Sequence, residues 1–222
     1  MEIVLASNNK KKIAELETLL ASASSKIGKV KSLREIGWTE EIEENGSTFE
    51  ENSVIKASVP AKLGYLGIAD DSGLAVDYLN GAPGIYSARY SGGGDPENRA
   101  KLLAALEGVP EEQRTARFVC TASLVLPENC PLTIPEAWRI PEALAEKAGI
   151  PASRVMVVRG ECEGVITTEE QGDGGFGYDP LFRYPAFDVT FAQISQEKKN
   201  TVSHRGKAMR EFIRRLTAIL EG

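Results

Sequence analysis

Histidine occurs once in this chain, at His204, cysteine three times, and long apolar runs not at all. Each scarcity removes a class of protein. Cys120, Cys130 and Cys162 are an odd number without metal-ligand spacing, and Cys120 lies inside an apolar stretch. They read as reduced, inert thiols and not as a zinc site. The opening Met-Glu-Ile-Val-Leu-Ala has no basic flank and no long apolar segment, so neither a signal peptide nor a membrane span is expected. The expected location is the cytoplasm. Positive charge is also in deficit: 26 Lys and Arg against 32 Asp and Glu leave a net charge of −6. No basic stripe for long nucleic acid is expected, although a local cluster for a small polyanion stays open. The glycine-rich loop Gly172 to Pro180 lacks the Gly-Lys-Ser/Thr of a Walker A loop. What remains is an ordinary globular composition, 42% hydrophobic and 26% charged over 222 residues. That suits one sizeable domain or one domain with two lobes.

The most informative stretch runs from Gly67 to Gly94. A short apolar lead-in, Ile68-Ala69, reaches Asp70-Asp71-Ser72-Gly73. If the chain is extended there, the adjacent carboxylates point in different directions, so one can hold a metal or a water while its neighbour does structural work. Gly73 permits a backbone conformation that other residues avoid. The alternative is a hairpin loop in which Asp-Asp-Ser-Gly caps a turn. After Leu74 to Leu79 and the tight Gly81-Ala82-Pro83-Gly84 turn, Ser87-Ala88-Arg89 offers a guanidinium fork for phosphate or carboxylate.

From the N-terminus, Ile3 to Ala6 reads as a buried strand and Lys10 to Leu20 as a helix, with Ile13, Leu16, Leu19 and Leu20 at helical spacing. Ser7 to Lys12 is then a strand-to-helix turn, which presents free backbone N–H groups. Lys10, Lys11 and Lys12 in a first helical turn oppose the helix dipole, a cost an anionic ligand would explain. A solvated lysine run capped by Ser7 or Asn9 explains them equally well. Val30 to Leu33 reads as a strand. Glu40, Glu41, Glu43 and Glu44 form an acidic loop, either simply solvated or the source of a magnesium ligand. Ser47 to Leu63 reads as a helix capped by Ser47 or Thr48. Its Glu51 and Lys56 are too far round the helix to share one ion-paired face.

Asp95 to Leu106 reads as a helix with Pro96 at its start, and Arg117 to Leu126 as a strand. Residues 127–153 are framed by Pro127, Pro131, Pro135, Pro141 and Pro151 around a short helix at Glu142 to Ala148. They read as an insertion packed on the surface or as an interface element. Val155 to Arg159 and Cys162 to Thr168 read as two strands joined by a turn at Gly160-Glu161. Phe176 and Tyr178 can stack on a base or serve as core. The Lys198-Lys199-Asn200-Thr201-Val202-Ser203-His204-Arg205 run precedes a final helix, Gly206 to Leu220. There the lone histidine can face an anion or a base edge, or be structural.

Together these pieces resemble the inosine triphosphate pyrophosphatases, a Ham1-like family. The blocks are Ser7-Asn8-Asn9-Lys10-Lys11-Lys12, Phe49-Glu50-Glu51-Asn52-Ser53-Val54-Ile55-Lys56-Ala57, Ala69 to Tyr90, Phe176-Gly177-Tyr178-Asp179-Pro180, and Lys199 to Arg205. They fall in the family's order over nearly the whole chain. The resemblance implies an α/β fold with a long central mixed sheet flanked by helices. It implies two lobes with the active-site cleft between them, a single domain over 1–222, and commonly a homodimer. It implies Mg²⁺-dependent hydrolysis of ITP, dITP or XTP to the monophosphate and pyrophosphate. Carried over by position, Asp71 is proton acceptor and metal ligand, with Glu43 the second metal ligand. Ser7, Asn8, Asn9, Lys10, Lys11, Lys12, Lys56, Ser72 and Lys199 line the phosphate and sugar side. Phe176, Gly177, Tyr178, Asp179, His204 and Arg205 hold the purine, with Arg89 a further substrate contact. The proline-framed insertion departs from the family's shorter link and touches none of the blocks. A catalytically silent nucleotide-binding module and a Maf-like hydrolase of ordinary nucleotides are the competing readings. The intact Asp70-Asp71 pair speaks against the first, and Ser203-His204-Arg205 against the second.

Overall fold

The computed structural model describes residues 2–23 and 29–222; the side chains of Lys11, Ser22 and Ala23 also lie outside the described set. Seven strands form one mixed sheet: β1 (Ile3–Leu5), β2 (Val30–Ser32), β3 (Leu66–Val76), β4 (Thr115–Val125), β5 (Val155–Ile166), β6 (Phe182–Tyr184) and β7 (Val189–Thr190). Their order is β2-β1-β3-β4-β5-β6-β7. β1 is parallel to both β2 and β3, whereas β5, β6 and β7 pair antiparallel. The helices are α1 (Lys10–Ala23), α2 (Phe49–Lys62), α3 (Asp95–Ala105), α4 (Glu142–Ala148), α5 (Gln196–Val202) and α6 (His204–Glu221). The chain divides into two compact units that share β3, β4 and β5. The first comprises 1–71, 121–159 and 208–222, the second 72–120 and 160–207.

In the first unit the alternation of a strand decides what each residue meets. Leu66 and Ile68 of β3 lie in a cluster with Leu16 and Leu20 of α1 and with Phe212, Leu216 and Ile219 of α6. Ala69 lies in a separate cluster with Val54, Ala57 and Ala61 of α2. Gly67 shares that second face: a Cβ there would stand 2.0 Å from the Ala57 carbonyl oxygen, so only glycine lets α2 approach this closely. α2 itself starts at a Thr48 cap, whose hydroxyl accepts the Glu51 N–H at 3.1 Å.

Residues 127–153 pack on the first unit through a few buried anchors, with most of their other residues exposed. Ile134, Ile140, Ala145 and Ile150 are all buried, the last three in the α2 cluster. Their prolines open short turns at Pro135, Pro141 and Pro151 and so fold four apolar anchors inward. The ends are pinned together: Leu126 N–H donates to the Arg154 carbonyl at 2.9 Å, and the Arg154 guanidinium donates back to the Leu126 carbonyl at 2.8 and 2.9 Å.

In the second unit, α3 contributes Leu102 and Leu106 to a core with Leu74, Val76, Phe118, Cys162, Phe182 and Phe191. One open choice is decided here, in favour of the extended chain, and two expectations change. β3 runs unbroken through Asp70-Asp71-Ser72-Gly73, so that segment is strand and not a turn, and Gly73 is not among the positive-φ glycines. β5 is likewise one strand through Gly160-Glu161. Its buried and open residues alternate across that pair, and sheet pairing overrides the turn preference of the glycine. α6 begins at His204, two residues earlier than the sequence suggests. The short β6 and β7, and α5 with its Ser195 cap, were not foreseen.

Candidate active site

In the first unit, β3 presents its two adjacent carboxylates to different helices. Asp70, on the face that packs α1, accepts the Lys12 ammonium at 2.7 Å. Asp71, on the α2 face, accepts Lys56 at 2.8 Å. Lys56 also reaches Glu44 of the acidic loop at 3.3 Å. The acidic-loop carboxylate placed beside Asp71 is thus Glu44; Glu43, one residue earlier, is exposed. Successive side chains along an extended loop alternate, and the sequence does not reveal which parity faces α2.

Burial pushes the Asp71 carboxyl up from its ordinary value, helped by the negative charges of Glu44 and Asp70 and opposed by Lys56. Burial also works against the charge on Lys56, but the surrounding carboxylates outweigh it and raise its pKa. The result is an ammonium held between two carboxylates, at 2.8 Å from Asp71 and 3.3 Å from Glu44.

The turn before α1 is built from its own side chains. Ser7 Oγ accepts the Asn9 N–H at 3.1 Å, and Asn9 Oδ1 accepts the Lys12 N–H at 3.4 Å. Asn8 Oδ1 instead accepts the Arg34 N–H at 3.2 Å, tying the turn to the segment after β2. Asn8, Asn9 and Lys10 are exposed and Ser7 is half-buried. No acidic residue stands in the first turn of α1, so the helix N-terminus keeps its positive end uncompensated by sequence.

Two first-unit features escaped the sequence reading. Asn52, fully buried, accepts the Gly46 N–H at 2.9 Å and so anchors the end of the acidic loop to α2. Lys147, in α4, bonds Glu51 at 2.8 Å and Ser47 at 3.1 Å. The proline-framed segment therefore does touch one of the blocks, the one containing Glu51. Burial would raise the Glu51 carboxyl, but Lys147 and the Ser47 donors outweigh it and hold it below its ordinary value.

In the second unit a cavity of about 160 Å³ is lined by Ser72, Phe118, Phe176, Tyr178, Asp179 and His204, among others. His204 stacks on Phe118, with centroids 4.8 Å apart and planes 15° apart. Phe176 is 68% exposed, a large apolar ring open to solvent at the cavity wall. Beneath it, Asp179 accepts the Lys199 ammonium at 2.5 Å and the Phe176 N–H at 2.9 Å. Lys199 lies 4.5 Å from the Phe176 ring centroid, a cation–π contact that adds to the pair. Tyr178 donates its hydroxyl to the Ser87 carbonyl at 2.9 Å and is buried, a fixed wall of the cavity. Gly177 N–H donates to Asp95 at 2.7 Å. Arg205 is half-buried next to His204. Arg89 is exposed, with its guanidinium 5.2 Å from the Tyr86 ring, and does not line this cavity.

The first unit thus offers lysines and carboxylates, the chemistry of a phosphate site, and the second an aromatic cavity with a histidine on its wall, the chemistry of a flat heterocycle. An α/β fold with this pairing defines a nucleotide-handling protein. The chain belongs to the Ham1 family, whose model matches residues 3–215. It is 46% identical over 214 residues to the dITP/XTP pyrophosphatase of Desulforamulus reducens, covering 95% of this chain and 93% of that one. Among solved structures it is similar to a HAM1 protein from Coxiella burnetii, with TM-score 0.82, 38% identity and coverage of 98% and 99%. It is also similar to the nucleoside-triphosphatase / dITP/XTP pyrophosphatase of Mycobacterium abscessus, with TM-score 0.76, 39% identity and coverage of 96% and 97%.

Proposed function

We propose that this chain is a pyrophosphatase of deaminated purine nucleoside triphosphates, cleaving dITP, XTP and ITP to the monophosphate and pyrophosphate. The observation that carries the reading is the Glu44–Lys56–Asp71 arrangement, in which a partly buried carboxylate accepts a lysine while burial, against that lysine, raises its pKa. A carboxylate so raised is a better proton acceptor near neutrality than an exposed one. Asp71 Oδ1 is taken by Lys56, and Oδ2 is the atom we assign to receive the proton of the attacking water. Lys12 and Lys56 offset the charge that builds on the phosphates, and the exposed turn at Asn8, Asn9 and Lys10 orients them. Phosphoryl transfer asks for positioning and charge neutralisation more than for covalent help.

The donor set also fits Mg²⁺. Among the described residues there is no group of three or more metal-ligating side chains. Asp71 and Glu44 supply hard oxygen donors, and Mg²⁺ is commonly held by one or two carboxylates together with substrate phosphates. When bound, the ion would neutralise phosphate charge. We assign the base to the second unit, with Phe176 stacking on its face and Tyr178 and Asp179 fixing the wall. His204 and Arg205 supply donors for the 6-oxo group that hypoxanthine and xanthine carry. Adenine's amino group leaves such a donor unpaired, which is how a site rejects it. On the family resemblance we further take the enzyme to be a cytoplasmic homodimer acting as one catalytic domain. Among the described residues no helix is long and apolar enough to cross a membrane.

The test is pyrophosphate release from dITP, XTP, GTP and ATP, with and without Mg²⁺, for the wild type and Asp71→Asn. Release from dITP and XTP that needs Mg²⁺ and is lost in Asp71→Asn is the expected result. Release of single phosphate, or equal turnover of ATP, would sink the proposal.

A further inference from the structure

The acidic loop has no regular structure, yet Glu44 must stand at one place to meet Lys56. Three contacts hold it against α2. Gly46 N–H donates to the fully buried Asn52. A Cβ at Gly46 would meet Asn52 Oδ1 at 2.6 Å and Glu51 Cβ at 2.7 Å, so the loop end lies flush on the helix. Ser47 then donates its N–H at 2.6 Å and its hydroxyl at 2.9 Å to a single oxygen of Glu51. That same oxygen takes Lys147 of α4 at 2.8 Å, and Lys147 also donates to the Ser47 hydroxyl at 3.1 Å. Lys147 therefore closes a ring with the last residue of the loop and the first turn of α2. On the apolar side, Ile42 of the loop packs on the cluster that contains Ile140, Ala145 and Ile150.

We propose that residues 127–153 are a brace for the acidic loop, with Lys147 a positioning residue that keeps Glu44 beside Lys56 and Asp71. This rests on the metal-and-phosphate reading of that cluster. A segment distant in sequence thereby tunes the site without contributing a group to it. Its length is pinned at both ends by the Leu126–Arg154 bonds, so α4 is held in place independently of the loop it holds.

The experiment compares Lys147→Met, which keeps the aliphatic stem, and Lys147→Arg, which restores the charge. Hydrogen exchange of residues 41–47 in the metal-free chain is read first. In Lys147→Met it should accelerate about two- to five-fold, the size expected of a partly exposed ion pair, while exchange in α6 stays unchanged. The Mg²⁺ midpoint for pyrophosphate release from dITP should rise by a similar factor, with KM for dITP at saturating Mg²⁺ unchanged. Lys147→Arg should return both. Unchanged exchange in the loop overturns the brace. So does acceleration spread equally over the chain, which would mark Lys147 as merely structural. Faster loop exchange with an unchanged Mg²⁺ midpoint overturns the positioning of Glu44. If the wild type releases no pyrophosphate, the proposed activity fails, and the exchange measurement still decides the brace.

Discussion

The Lys199–Asp179 pair is a buried ion pair beneath the Phe176 ring, and removing its charge has a calculable cost. Lys199 and Asp179 expose only 5% and 2% of their side chains. Asp179 has two donors, the Lys199 ammonium at 2.5 Å and the Phe176 N–H at 2.9 Å. Lys199→Met keeps the stem that passes the Phe176 and Phe191 rings but removes the charge. It leaves a buried carboxylate with one backbone donor. Taking away one partner of a buried pair costs about 3–5 kcal/mol, because the surviving charge is uncompensated. Against a domain stability of about 5–15 kcal/mol this is a large fraction, so the shift in unfolding midpoint is readily measured. Asp179→Asn should cost a similar amount by stranding the ammonium. The double variant should cost no more than either single one, which makes the coupling at least about 3 kcal/mol. Urea unfolding followed by circular dichroism reads all three. The loop bearing Phe176 should loosen in the singles, so KM for dITP should rise more than kcat falls. A cost below about 1 kcal/mol for Lys199→Met, or strict additivity in the double variant, would refute the reasoning. Either result would mean that water and not lysine compensates Asp179.

Gly67→Ala should destabilise by about 1–3 kcal/mol, because the added methyl meets a backbone carbonyl that cannot swing aside and α2 must shift on β3; a thermal shift under 1 °C would contradict this. In the native chain a thiol reagent should label Cys130, which is partly open, and spare the buried Cys120 and Cys162, as intact-mass measurement would show by one adduct. Burial raises the Cys162 thiol to about 11 from 9.0, and the thiolate is the reactive form. Between those values the unfolded chain releases this proton and the folded chain keeps it, so stability falls as pH rises through that window. An unfolding midpoint unchanged from pH 9 to 10 would show that the folded thiol ionises as freely as the unfolded one.

Part of the geometry around Asp70 and Asp71 is legible in the sequence. The expectation that an extended Asp70-Asp71 would point two ways matches the structure, where the carboxylates meet Lys12 and Lys56. The separation of Glu51 from Lys56 was also readable, since the two find different partners on different elements. What failed was long-range. Gly160-Glu161 looks like a turn locally, but β5 continues through it because a paired strand outweighs one residue's preference. β6 and β7 have three and two residues, too few to establish a period. The choice of Glu44 over Glu43 depends on how Gly46 seats against Asn52, and Lys147 meets Glu51 from 96 positions away. Neither contact leaves a local mark in the sequence.

The alternation of β3 also says something about which changes in length the chain can absorb. Even positions there face α1 and α6, odd ones face α2. A residue lost from β3 ahead of Ile68 would bring Asp71 to Lys12 and set Ser72 against Lys56. A residue gained would leave Asp70 facing Lys56 and put Ala69 against Lys12. Two consecutive aspartates therefore make the strand forgiving of a slip in one direction at the Lys56 position and unforgiving in the other. In both cases Ile68 and Ala69 would also exchange sides of the sheet. Substitution at a single position and displacement of the whole strand are different hazards here, and only the second threatens the site and the core at once.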